Sequence, residues 1–189
     1  SAWRSRNARA KAVAAAALAS APRGALYIET STVSPAWIKE FAALCAERGM
    51  RFVEAPVSGS KKGAAEGTLT IMAAASEADY EAALPVLQAL GRPYLLGPVG
   101  QAAIVKLALN APGAARVQAL GEGLLLARRS GVDPRALLEA LSRTMFHTPF
   151  LQWHGAAMLR RDPETHFSLE LMHKDLTLVL EQGHLTRTP

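Results

Sequence analysis

The segment Gly97-Pro98-Val99-Gly100 marks the place where the chain changes character. Before it, short apolar runs of strand length alternate with helical patterns. After it no further strand pattern occurs, and Ile104, Leu107, Ala111, Leu120, Leu124 and Ala127 follow helical periodicity from Gln101 to Arg129. A chain of this kind is α/β in its first half and all helical in its second. The expected boundary places residues 1–97 in one domain and residues 98–189 in the other.

Ala25 to Glu29 reads as a strand, and Ser34-Pro35 supplies a helix N-cap with proline at the first helical position. That helix should stop at Gly49, and Arg51 to Ala55 reads as a second strand running into Pro56-Val57-Ser58-Gly59. Strand, helix, strand is a parallel crossover unit. In such sheets ligands lie beyond the carboxyl ends of the strands, which groups Ser31, Thr32, Ser58 and Gly59 at one edge. Leu69 to Ala73 is a third strand, Ser76 opens a helix, and Pro93 to Leu96 is a last short strand.

Beyond the glycine turn, Lys106 and Asn110 are spaced i, i+4 and share a helix face whose neighbours are small and apolar. Two readings of Lys106 stand. An ammonium partly desolvated there would have its pKa moved toward neutrality and could pass a proton. A surface lysine laying its stem along an apolar helix would do nothing of the kind. Pro112 falls inside the same helical pattern and is expected to bend it. Asp133-Pro134 and Thr148-Pro149 open two further helices, and Phe167 to Gln182 forms a last one. Phe150 and Trp153 read as core anchors of this helical half. The histidines show no metal-ligand spacing, so no metal is expected.

Of the net charge of +5, all is carried by Arg4, Arg6, Arg9, Lys11 and Arg23; the remaining acidic and basic residues balance. A neutral body argues against a nucleic-acid surface. No apolar run reaches the length of a membrane span, so no membrane partner is expected. The lone Cys45 sits in a helical pattern and reads as core, in keeping with a reducing compartment such as the cytoplasm. Residues 1–23 are rich in arginine, alanine and serine and lack acids, which reads either as a fragment boundary or helix of a truncated domain, or as a mitochondrial or plastid targeting segment or a weak secretory signal.

Four motifs in order resemble a known family: Thr30-Ser31-Thr32-Val33-Ser34-Pro35, Phe52 to Gly63 with its Pro-Val-Ser-Gly core, Gly97-x-x-Gly100 with Lys106 and Asn110, and His173-Lys174-Asp175-Leu176. They look like the successive motifs of the β-hydroxyacid dehydrogenases, with glyoxylate/succinic semialdehyde reductases and 3-hydroxyisobutyrate dehydrogenases as the nearest likeness. The resemblance implies the C-terminal part of a Rossmann-type NAD(P)-binding domain followed by a helical domain. It implies Lys106 as the acid/base of a hydride transfer and Asn110 as orienting the lysine or the substrate. Ser58 and Gly59 match the segment that binds a substrate carboxylate, and Thr32 and Lys174 match positions that touch an NADP or NAD cofactor. The residues alone also admit plain readings: Ser58 and Gly59 as ordinary turn formers, and Lys174-Asp175 as a solvated helix pair.

No G-x-G-x-x-G occurs; the lone G-x-G, Gly121-Glu122-Gly123, lies within a helical pattern and has no preceding strand. Two functions therefore remain in view. One is an oxidoreductase interconverting a small hydroxy acid and its aldehyde or keto acid, homo-oligomeric through the helical domain. The other is an inactive truncated relative serving as a dimerisation or interaction module.

Overall fold

The computed structural model describes residues 12, 14–16 and 18–188. The described stretch of residues 12–20 is helical, with Ala14 and Leu18 buried. Most of the basic cluster, Arg4 to Lys11, on which the targeting reading turned, lies outside the described residues. The elements that follow are β1 (Leu26–Glu29), α1 (Pro35–Glu47), β2 (Arg51–Glu54), β3 (Val57–Ser58), α2 (Ser60–Glu66) and β4 (Leu69–Ala74). They continue as α3 (Glu77–Leu90), β5 (Gly91–Gly97), α4 (Gln101–Arg129), α5 (Pro134–Ser142), α6 (Pro149–Arg160) and α7 (Leu169–Thr186).

The helix starts are set by local chemistry. Ser34, Ser76, Asp133 and Thr148 each accept a backbone N–H from the first turn of α1, α3, α5 and α6, and proline follows the cap in three of the four. The first strands form the anticipated crossover, with β1 parallel to β2 from Leu26 opposite Arg51 to Glu29 opposite Glu54. The next step is different. β2 and β3 both run antiparallel to β4 in one continuous register, Glu54 opposite Ala74 and Val57 opposite Ile71, and the Pro56 carbonyl between them accepts the Met72 N–H. Pro56 offers no donor of its own, which is why the strand is interrupted there although its register is not. β5 then lies parallel to β4 on its other side.

Alternation along the strands sorts the core onto two faces. Leu26, Ile28, Val53, Ile71 and Ala73 point one way and bury Ala83 and Leu87 of α3. Tyr27 and Phe52 point the other way, into an aromatic group in which Phe41 lies edge-on to Tyr27 at 4.9 Å and stacks on Trp37 at 5.0 Å. Cys45 is buried in the same group, and burial raises its thiol pKa. Farther along this second face, Met72 and Ala74 pack on Ala102 at the start of α4.

By contacts the chain divides into two compact units, one running up to Ala108 and taking in Leu169 onward, the other Leu109–Ser168. The change of pattern at Gly97 and the change of unit at Ala108 are thus separate positions: α4 opens in the first unit, and α7 belongs to that unit as well. In the second unit Leu120 and Leu124 of α4 pack with Leu138 of α5, joined by Leu151 and Leu159 of α6. Pro112 lies inside α4 without interrupting it.

One expectation is corrected here. Phe150 and Trp153 are 43% and 42% exposed rather than core anchors. The face of α6 that meets Leu138 carries Leu151, Gly155 and Leu159 at four-residue spacing, and a Cβ on Gly155 would come within 2.5 Å of Leu138 Cδ2. The two aromatics fall off that face and make ring contacts with His154 instead, at 4.2 Å and 4.6 Å.

Ile71→Ala, at a fully buried position in β4, is expected to cost about 2–5 kcal/mol. Trp153→Ala should cost less than about half of that. Urea unfolding followed by circular dichroism compares the two.

Candidate functional site

The site begins with a carboxylate at the end of β2. Strand alternation puts Glu54 on the same face as Phe52, where it is 1% exposed. Its oxygens accept the N–H groups of Gly100 at 2.6 Å and Ala103 at 2.5 Å. These belong to the opening of α4, where backbone donors have no partner within the helix and an anion is favoured. Burial pushes the Glu54 carboxyl above the usual carboxylate range, opposed by the Gly100, Ala103 and Ala102 hydrogen bonds and by the Lys39 cation. Gly100 has φ +99°, a backbone conformation that strains any residue with a side chain, and the Lys39 side chain lies over it.

One turn further into α4, among buried Ala102, Ala103 and Leu107, stands the half-buried Lys106. Burial lowers its pKa from the ordinary 10.5; Asp175 pulls it back up, and Lys174 adds to the lowering. Both of these partners come from α7. The Lys174 ammonium donates to the Thr32 carbonyl at 2.6 Å and to Asp175 Oδ1 at 2.6 Å, and Asp175 is 1% exposed. Lys106, Lys174, Asp175 and the Thr32 carbonyl thus form one electrostatic cluster within the first unit.

The other anticipated residues stand as follows. Thr32 contributes its carbonyl to the cluster, in the stretch between β1 and α1. Ser58 is exposed and sits in the β3–β4 ladder opposite Thr70, so the Pro-Val-Ser-Gly segment is part strand and not wholly a turn. Gly59, at φ +140°, leads into α2, with Leu69 Cδ2 3.0 Å from where a Cβ would stand. Asn110 follows Lys106 by four residues on α4 and falls in the second unit.

Two residues of the site, Glu54 and Asp175, had no role assigned from the sequence. Glu54 was visible as an acid at the inward phase of the strand period, directly before Ala55-Pro56. Asp175 shares a helix face with buried Leu178 three residues on, a spacing that contradicts the solvated-pair reading. Among the described residues no group of three or more His, Cys, Asp or Glu is arranged to hold a metal ion. Nor is any helix among them long and apolar enough to cross a membrane.

The donor set suits a nicotinamide cofactor. An ammonium has three donors, and Lys174 spends two on Thr32 and Asp175, leaving one for a bound group. It does so beside the carboxyl end of β1, the part of a parallel pair where ligands bind. Lys106, half-desolvated and beside a buried carboxylate, is able to give up a proton and regain it.

Comparison with known proteins points to a nicotinamide cofactor. The family model for the NAD binding domain of 6-phosphogluconate dehydrogenase matches residues 5–105. That for the NAD-binding region of NADP-dependent 3-hydroxyisobutyrate dehydrogenase matches residues 100–189. The 2-(hydroxymethyl)glutarate dehydrogenase of Eubacterium barkeri is 34% identical over 174 residues, covering 91% of this chain and 58% of that protein. Glyoxylate/succinic semialdehyde reductase 1 of Arabidopsis thaliana is 37% identical over 158 residues, covering 83% of this chain and 55% of that one. The structure of Mycobacterium tuberculosis 3-hydroxyisobutyrate dehydrogenase with L-serine superposes with a TM-score of 0.79 at 28% identity, covering 91% of this chain and 62% of the other. The chain spans somewhat more than half the length of the curated relatives it matches. With NAD-binding family models matching from residue 5 to residue 189 and a mixed α/β sheet followed by helices, the chain belongs to the β-hydroxyacid dehydrogenase family.

Proposed function

We propose that this protein catalyses NAD(P)-dependent hydride transfer between a small 3-hydroxy acid and its aldehyde or keto acid, with Lys106 as the general acid and base. The observation that carries the reading is the desolvated Lys106 amine beside buried Asp175 and Lys174. The nicotinamide cofactor supplies the hydride. In the reducing direction Lys106 gives its proton to the carbonyl oxygen as charge develops there, and in the oxidising direction it takes the proton back. Asp175 raises the Lys106 pKa against the larger lowering by desolvation. Thr32 and Lys174 hold the cofactor, Ser58 and Gly59 bind the substrate carboxylate, and Asn110 orients the lysine or the substrate. The names of the relatives support substrates of the glyoxylate, succinic semialdehyde or 3-hydroxyisobutyrate kind.

A second reading, a module that assembles without catalysis, is favoured by the apolar side chains that the second unit leaves in solvent. Met145 is 93% exposed, and Phe146 and Leu126 are also open. Large apolar side chains left in solvent are available for association. In either reading copies of the chain associate through this helical unit.

Fluorescence titration with NADPH and NADH, followed by turnover of glyoxylate and succinic semialdehyde, separates the two readings. The dehydrogenase reading expects binding of at least one cofactor and a loss of about 10²–10⁴-fold in kcat for Lys106→Ala. Unchanged turnover in Lys106→Ala removes the lysine from the chemistry, and absence of binding by either cofactor favours the module.

The direction of pH dependence follows from the lysine. A general acid must be protonated, so reduction is expected to fall as pH rises through the lowered pKa of Lys106, at a midpoint below 10.5. Oxidation should rise through the same midpoint. Initial rates in both directions across a pH series check the sign.

A further inference from the structure

Glu54 is a buried acid to which the family resemblance assigns no part. Its two oxygens divide between two N–H groups of one helix start, Oε2 taking Gly100 and Oε1 taking Ala103. Ala103 is one helical turn before Lys106, on the same side of α4. At its other end Glu54 is fixed by the strand: it pairs with Glu29 of β1 and with Ala74 of β4, so its backbone has little freedom. The charged groups around it are Lys39 of α1, which passes over Gly100, and buried Glu29, its register partner on β1. Those that face Lys106 are Asp175 and Lys174 of α7.

A buried carboxylate is a costly way to stabilise a fold, because an apolar residue of similar volume often serves as well or better. An apolar residue could not accept two backbone N–H groups. We propose that Glu54 is a positioning residue for Lys106, clamping the first turn of α4 to the end of β2 so that the amine stays in its half-desolvated place beside Asp175. The inference rests on the reading of Lys106 as the proton donor. It adds that the strand leading into the candidate carboxylate-binding segment also sets the lysine, since Glu54 stands four residues before Ser58.

The test reads the lysine itself, in the absence of cofactor and substrate. Amine-acylation rates of individual lysines, measured by mass spectrometry across a pH series, give the titration midpoint of Lys106 in the full chain. In Glu54→Gln an amide NH2 replaces one acceptor and opposes a backbone N–H, so the first turn of α4 is released. The Lys106 midpoint should then rise by roughly one pH unit as its amine gains water, while exposed Lys62 stays unchanged. Ile71→Val, which weakens the core without touching α4, should leave Lys106 unmoved.

A merely structural cap would lower the unfolding midpoint of Glu54→Gln and leave the Lys106 titration in place, and that result overturns the proposal. Should Glu54→Gln not fold, Glu54→Asp retains the charge with one methylene less reach. A smaller upward shift there supports the proposal, and none overturns it. No turnover enters these readings, so an unmoved midpoint sinks the positioning role alone, whereas unchanged turnover in Lys106→Ala sinks the proposed reaction.

Discussion

The carboxylate of Glu54 is held at a junction that the rest of the first unit depends on. β2 delivers it from inside the sheet, α4 offers it two unpartnered backbone donors, and the antiparallel ladder to β4 keeps the strand from shifting. None of these alone fixes α4, which follows a turn of two glycines and a proline with little intrinsic preference for one direction. Two charge-assisted hydrogen bonds of the kind formed here contribute about 1.5–3 kcal/mol each when both partners are satisfied. Removing one partner leaves the other buried and unsatisfied, so the junction behaves as a unit.

A balance of charge in a poorly hydrated cluster follows from that placement. Lys106 of α4 feels the charges of Lys174 and buried Asp175 of α7, and the Thr32 carbonyl takes one of the N–H groups of Lys174. Desolvation and the neighbouring cation favour a neutral Lys106, while Asp175 favours a charged one, and desolvation is the larger effect. Lysine is suited to such a place because its ammonium is a compact point charge whose pKa responds to burial. An arginine in the same position would stay charged at any working pH and could not cycle a proton.

Elements that depend on neighbours in the chain are legible from the residues themselves. The serine, aspartate and threonine caps with their prolines, the β1–α1–β2 crossover and the glycine turn at Gly97 and Gly100 all rest on local backbone chemistry. Relations set by distant residues are not legible in this way. The antiparallel register of β2 and β3 with β4, the membership of α7 in the first unit and the outward turn of Phe150 and Trp153 depend on which faces are already occupied. Within the candidate site, the lysine stands out as an isolated charge on an apolar helix face. Glu54 and Asp175 do not, because an acid next to a proline or a lysine reads as solvated until its face is known to be buried. Strand phase at Glu54 and helix phase at Asp175 are the signals that could have found them.

The proposed chemistry depends on the state of one amine. Site-resolved titration of Lys106 in the folded chain, with Lys61 and Lys62 as solvated references, measures it without cofactor or substrate. A Lys106 midpoint clearly below those of Lys61 and Lys62 is the predicted result. A midpoint equal to theirs would mean a hydrated surface lysine, and the chemistry built on its desolvation would have no foundation.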